Sequence, residues 1–144
     1  MGYRSTVAYT IRFIAPRVDE PDKGLTEEHC KATFYTFLAE AKANGETAGA
    51  FLDEDIKIDE VNLAIYFYAG HTKWYESYEE VKCHEALLDL SKEWADDGDC
   101  SNPYIGGAFA RIGEEMEDMV EECWGQGDYD WIAIHRTMEC DWMN

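Results

Sequence analysis

Basic residues are scarce in this chain: 12 Lys and Arg stand against 31 Asp and Glu, for a formal net charge of -19. That shortage excludes the basic stripe that direct nucleic-acid recognition needs, and it opposes binding to anionic lipid. No apolar run approaches the roughly 20 residues that span a bilayer. None of the cysteines, Cys30, Cys83, Cys100, Cys123 and Cys140, forms a CxxC pair. Their number is odd and no secretory apolar region follows Met1, which reads as free thiols in a reducing cytosol. There is no GxSxG, P-loop or GxGxxG, so no nucleophile elbow or phosphate cradle is written in the chain. Internal repeats and low-complexity segments are also missing.

What is present suits one globular domain over residues 1–144, with 46% hydrophobic and 14% aromatic residues. A chain of this size can bury roughly 68–70% of its unfolded surface without staples. From Tyr3 to Ile14, Val7, Tyr9, Ile11 and Phe13 alternate with Thr6, Ala8, Thr10 and Arg12, the pattern of a half-buried strand. The prolines and charges of 16–24 predict a loop. Thr26 is a helix cap with Glu27 and Glu28 in the first turn, and Cys30, Phe34, Phe37, Leu38 and Ala41 form the inner stripe of a helix ending at Asn44-Gly45. Residues 46–60 are mixed and acidic. Val61, Leu63, Ile65 and Phe67 alternate as a second strand that could begin at Ile56, broken at Gly70.

A second helix spans about 78–97 by the same periodicity, with Val81, Leu87, Leu88 and Trp94 or Ala95 inward. Asp96, Asp97 and Asp99 with Gly98 end it, and Asn102-Pro103 marks a loop. Tyr104 to Ile112 and Tyr129 to Asp141 read as further strands, with Gly125 and Gly127 as a turn. Gly106-Gly107 marks a bulge or close packing. The order β-α-β-α-β-β predicts an α+β fold: one mixed or antiparallel sheet of about four strands, two helices on one face and a long C-terminal β-hairpin.

The acidity is uneven. Residues 1–75 carry 12 acids and 8 bases; residues 76–144 carry 19 acids and 4 bases. It peaks between Gly113 and Gly125, where Glu114, Glu115, Glu117, Asp118, Glu121 and Glu122 fall within nine positions. Met116, Met119, Val120, Cys123 and Trp124 would stripe a helix there. A strand continuing from Phe109 into a hairpin is the alternative.

Four short anchors occur together: Met1-Gly-Tyr-Arg-Ser-x-Val-Ala8, Lys73-Trp-Tyr-x-Ser-Tyr-x-x-Val81, Phe109-x-Arg-Ile-Gly-Glu-Glu115 followed by Glu117-Asp118, and Ile132-x-Ile-x-Arg136. In these the chain resembles a group of small proteins of tailed phages and prophages. The resemblance carries no activity. It implies a phage origin, an accessory role in the bacterial host cytoplasm, and a strand for the acidic stretch. Met116, Met119 and Trp124 depart from that pattern.

Candidate chemistry is thin. Asp53-x-Asp55-x-Lys57-x-Asp59 has part of the spacing of a calcium loop, but a lysine occupies a ligand position and no glycine follows. Paired acids such as Glu114 with Glu115, or Glu117 with Asp118, define no ligand geometry. His29-Cys30 and Cys83-His84 sit on predicted helices, where neighbours point about 100° apart, so each pair offers one inward group. Buried thiols and partly exposed histidines are expected, with no metal or other cofactor. Trp74, Tyr75 and Tyr78 form an aromatic cluster between strand and helix, expected to pack at that corner.

The expectation is a non-enzymatic protein that binds a host protein with a basic surface, such as a nucleic-acid-handling or defence factor. Glu114, Glu115, Glu117, Asp118, Glu121 and Glu122 would supply a DNA-mimicking surface, with Met119 and Trp124 as apolar anchors. The alternative is a small-ligand binder, such as a nucleotide sponge. Its pocket would draw on Trp74, Tyr75 and Tyr78, with Arg4, Arg12, Arg111 and Arg136 as charge partners along one sheet face.

Overall fold

The computed structural model describes residues 3–14, 27–75, 77–96, 104–115, 117–125, 132–134, 138–140 and 142. The expected 16–24 loop, the Thr26 cap, the 97–103 loop and Arg136 lie outside the described residues. The fold is α+β. Strand β1 (Ser5–Ile14) is followed by helix α1 (Glu27–Ala43), a 3-10 turn (Ala48–Leu52), strands β2 (Ile56–Asp59) and β3 (Ala64–Thr72), and helix α2 (Glu79–Asp96). Strands β4 (Tyr104–Gly113), β5 (Met119–Gly125), β6 (Ile132–Ile134) and β7 (Met138–Cys140) complete it. Five strands form one antiparallel sheet in the order β2-β3-β1-β4-β5, and β6 and β7 pair separately.

β1 occupies the centre because both of its faces can be buried. Val7, Tyr9, Ile11 and Phe13 point into the helix-covered face, where α1 contributes Cys30, Phe34, Phe37, Leu38 and Ala41. All five α1 residues are those expected from helical spacing. Tyr9 stacks on Phe67 at 5.0 Å, and Phe13 meets Phe34 and Phe37 at 5.5 and 5.4 Å. Such offset and edge contacts add to the area buried by each ring. α2 packs Val81, Leu87 and Leu88 inward as expected, and its stripe also includes two polar residues, His84 and Ser91.

The centre of the opposite face is also buried, which the half-buried reading of β1 does not anticipate. Ala8, Thr10, Ala64, Ala108 and Ala110 are small and buried there. Small side chains let a further layer of backbone approach. β6 lies against β4, and Trp142 stacks on Tyr66 at 5.0 Å. Among the described residues, β6 and Trp142 therefore pack on the second face rather than adding a strand to the sheet.

Two local features depart from the expected strands. The 56–68 region is a hairpin of β2 and β3, because the Asp59 carboxylate accepts from the backbone N–H of Val61 and of Asn62, both at 3.0 Å. Leu63 takes up a left-handed φ of 53° to finish that turn. The acidic stretch forms a hairpin with β4 that reverses at 114–118, ahead of the expected glycine turn at Gly125. Gly107 explains how β5 docks: a Cβ there would lie 2.3 Å from the Trp124 ring. The ring is fixed from the other side by its indole N–H, which donates to Ser91 Oγ at 2.9 Å. Gly107→Ala should therefore lower stability by about 1–3 kcal/mol. Urea denaturation measures this directly, and an undiminished midpoint would mean the ring is not seated over Gly107.

Candidate functional site

The acidic hairpin is held by its own few cations. Gly113 leaves room where a Cβ would meet the Asp118 carboxylate and the Tyr3 hydroxyl. Arg111 then donates through both terminal nitrogens to Asp118, at 2.7 and 3.0 Å, and to Ser5 Oγ at 3.3 Å. A forked guanidinium–carboxylate contact fixes orientation as well as charge. The Tyr3 hydroxyl donates to the same carboxylate at 2.7 Å and accepts the Glu115 backbone N–H at 3.1 Å. Arg111, followed by Tyr3, holds the Asp118 carboxyl below its usual range. The Arg4 backbone N–H donates to Glu114 at 2.8 Å, so residues 3–5 lace the turn to the end of β1.

The six acids consequently take different roles. Asp118 belongs to the clamp. Glu122 faces the helices, opposite Phe109, and pairs with Lys92 at 2.8 Å. Glu121 lies opposite Ala110 on the other face. Glu114, Glu115 and Glu117 are exposed in the turn. The carboxylates of Glu115, Glu117 and Glu121 make no hydrogen bond or ion pair among the described residues. Met119 is 51% exposed beside them. Trp124, by contrast, faces inward, bonded to Ser91 and with the Lys92 ammonium 5.0 Å from its ring centre. The acids therefore make a compact cluster at one corner of the sheet rather than a continuous ribbon. Partial burial and nearby Glu121 push the Cys123 thiol up, so it is protonated and weakly nucleophilic at neutral pH.

The residues of the alternative ligand pocket are drawn apart. Trp74 turns into the core against Phe67, His84 and Phe109. Tyr75 and Tyr78 meet edge to face at 5.1 Å, and the Tyr75 hydroxyl accepts the Tyr3 backbone N–H at 2.6 Å. Arg111 and Arg12 do not share a sheet face. Arg111 pairs with Val7 in the β1–β4 register, on the helix side, whereas Arg12 lies beside the stacked Tyr66 and Trp142 rings on the other side, 5.3 and 5.8 Å from their centres. Arg4 donates to the His71 carbonyl at 2.9 Å.

The expectation of partly exposed histidines fails at His84, which is 1% exposed. Its Nδ1 lies 2.6 Å from the Tyr9 hydroxyl and its Nε2 lies 3.0 Å from Asp53 Oδ2. Both contacts are satisfied by a neutral ring: Tyr9 O–H donates to Nδ1, and Nε2–H donates to the carboxylate. The available signal is the helical spacing of His84 with Leu87, Leu88 and Ser91, which places it on the inner stripe. The Tyr9 hydroxyl is itself fully buried, and the chain of groups ties β1, α2 and the 53–55 turn together, with the Asp53 carboxylate partly exposed at its outer end. Among the described residues, no three His, Cys, Asp or Glu converge as metal ligands. Asp53 is engaged by His84 and Asp59 caps its turn, so the calcium-loop pattern is divided between two structural tasks.

Burial holds His84 below its usual range, against the opposing pull of Asp53 and Asp55. A depressed histidine pKa means the unfolded chain binds more protons between the native pKa and about 6.5. Stability should be full above that window, fall as pH drops through it, and level off below. Urea midpoints from neutral to mildly acidic pH should show this step, and His84→Gln should abolish it while lowering stability by about 1–3 kcal/mol. Persistence of the step in His84→Gln would assign it to another group. No protein-family model, curated protein or solved structure matches this chain.

Proposed function

We propose that this protein is a non-enzymatic, phage-encoded accessory factor that acts in the host cytoplasm by binding a host protein with a basic surface. The contact is the corner formed by the β4–β5 turn and the start of β5, through Glu114, Glu115, Glu117 and Glu121, with Met119 as the adjoining apolar group. The observation that carries this reading is a division of labour. Asp118 and Glu122 are held internally by Arg111 and Lys92, while Glu115, Glu117 and Glu121 have no ion pair among the described residues. The flanks of the turn are thus tied to β1 and β4 without any partner, and such preorganisation reduces the entropy lost on binding. A concentrated negative potential also accelerates encounter with a basic surface.

The compact shape of the cluster favours a local basic patch on the partner over imitation of a long duplex. Only Glu121 and Glu122 lie on the strand itself, and they point to opposite faces. A nucleotide-binding reading gains no comparable support, because Arg111 is engaged with Asp118 and Arg12 lies on the other side of the sheet.

A charge-matched comparison tests the reading. One variant carries Glu114→Gln, Glu115→Gln, Glu117→Gln and Glu121→Gln. The control carries Glu40→Gln, Glu46→Gln, Glu54→Gln and Glu93→Gln, exposed acids elsewhere on the surface. Both lose the same charge. Capture of a basic host protein should fall about tenfold or more for the first variant, persist for the control, and weaken with salt. Equal capture by the two variants would discard the assignment.

A further inference from the structure

Two strands end the five-stranded sheet, and each has a single strand partner among the described residues: β5 pairs with β4, and β2 with β3. An open edge offers unpaired backbone groups to another strand. The two edges would receive a copy of themselves differently. In antiparallel self-pairing about a two-fold axis normal to the sheet, facing residues must lie on the same face, so the axis passes through a residue. β5 carries acids and no base, so no register places a cation opposite its carboxylates.

β2 is different. Its sequence is Ile56-Lys57-Ile58-Asp59, with Lys57 and Asp59 on one face and the isoleucines on the other. With the axis at Ile58, Lys57 faces Asp59 of the second copy, Asp59 faces Lys57 of the second copy, and the two Ile58 side chains meet. With the axis at Lys57 or Asp59, like charges face each other, and with the axis at Ile56 Lys57 would face Asp55, which belongs to the turn before the strand and not to the strand itself. Opposite-charge pairs across strands are favourable and like-charge pairs are not, so the strand selects one register.

The surroundings fit this arrangement. Lys57 is exposed and makes no hydrogen bond or ion pair among the described residues. Asp59 is kept ionised by the Asn62 backbone and side-chain N–H groups, which hold its carboxyl below the usual range. Ile58 lines a groove of about 410 Å3 with Tyr35, Leu38, Ala39, Lys42 and Glu60. The Ile58 of a second copy would sit at its mouth. Five large hydrophobics are exposed among the described residues, and three of them border this strand: Tyr35, Leu52 and Val61, the last two 88% and 90% exposed. Singly such residues are ordinary; gathered at an open edge they mark an interaction surface.

We propose that β2 is the dimerisation edge of this protein, pairing antiparallel with β2 of a second copy about Ile58 to give one continuous ten-stranded sheet. The two Lys57–Asp59 contacts set the register. Each copy carries -19, so overall repulsion opposes the dimer and salt relieves it. Salt therefore tightens this contact, the reverse of its effect on a basic partner at β5, and the two can be separated experimentally.

Sedimentation equilibrium of the full chain, under reducing conditions and at two salt concentrations, is the test. The wild type should dimerise reversibly, more tightly at higher salt. Lys57→Glu and Asp59→Lys should each associate about tenfold or more weakly alone, while an equimolar mixture should recover the dimer, because the introduced residues then face opposite charges. Asp59→Lys removes a turn cap and could fail to fold. A second measurement stands apart from it: amide exchange at Ile56–Asp59 in the wild type should slow as protein concentration rises. A wild type that stays monomeric overturns the proposal. So does a dimer that Lys57→Glu leaves undisturbed, as contact through β5 or another surface would give.

Discussion

The phenol of Tyr9 is the constraint on which the arrangement of elements depends. It lies on the central strand beneath α2, fully buried. A hydroxyl without a partner in such a place costs on the order of 1–3 kcal/mol. His84 answers it from α2, and the second ring nitrogen must then find an acceptor, which is Asp53. One buried oxygen therefore fixes the rotation of α2 and the approach of the 53–55 turn. That turn leads directly into β2, so the position of an outer strand is set from the middle of the sheet. Hydrophobic burial alone would not specify this. Tyr9 stacked on Phe67 could slide, whereas a donor–acceptor sequence of three groups has one satisfied arrangement.

Charge is managed by the same economy of partners. With 12 bases for 31 acids, most carboxylates must face water. The cations nearest the acidic hairpin are placed where a geometric task is also served. Arg111 closes the β4–β5 turn onto Tyr3 and Ser5, and Lys92 bridges α2 to β5 through Glu122 while lying over Trp124. These contacts are partly exposed, so their value is orientation more than energy. The acids left over are displayed beside those that are paired, on strands that these contacts tie together.

Periodicity made the fold class, β1 and both helices legible. β1 alternates cleanly, and the α1 stripe from Cys30 to Ala41 is buried residue for residue as spaced. What escaped depends on partners distant in the chain. His84 looks like a surface residue beside Cys83 unless Tyr9, 75 positions earlier, is known to face it. The reversal at 114–118 rests on Tyr3 and Arg111 converging on Asp118, and no local turn motif announces it. The buried centre of the second face had a faint signature in Ala8, Thr10, Ala108 and Ala110, a run of small residues too uniform for a water-facing side. The strand reading of the acidic stretch was recoverable. The inward turn of Trp124 was not, because it requires Gly107 across the pair and Ser91 on α2.

The two sheet edges follow different rules of recognition although one chain builds both. A charged residue on an edge usually deters pairing, because an incoming strand buries it beside an indifferent or like-charged neighbour. The deterrent is selective, however, since its sign determines which strand is refused. β5 bears only negative charge and so refuses its own copy while remaining open to a basic one. β2 bears one charge of each sign, two residues apart on the same face, and that spacing is the one that complements itself when reversed. Moving Lys57 by a single position would place it on the opposite face from Asp59 and erase the complementarity, because side chains alternate with a period of two. The character of each edge is therefore a property of register as much as of composition, and net charge alone would have predicted the same behaviour for both.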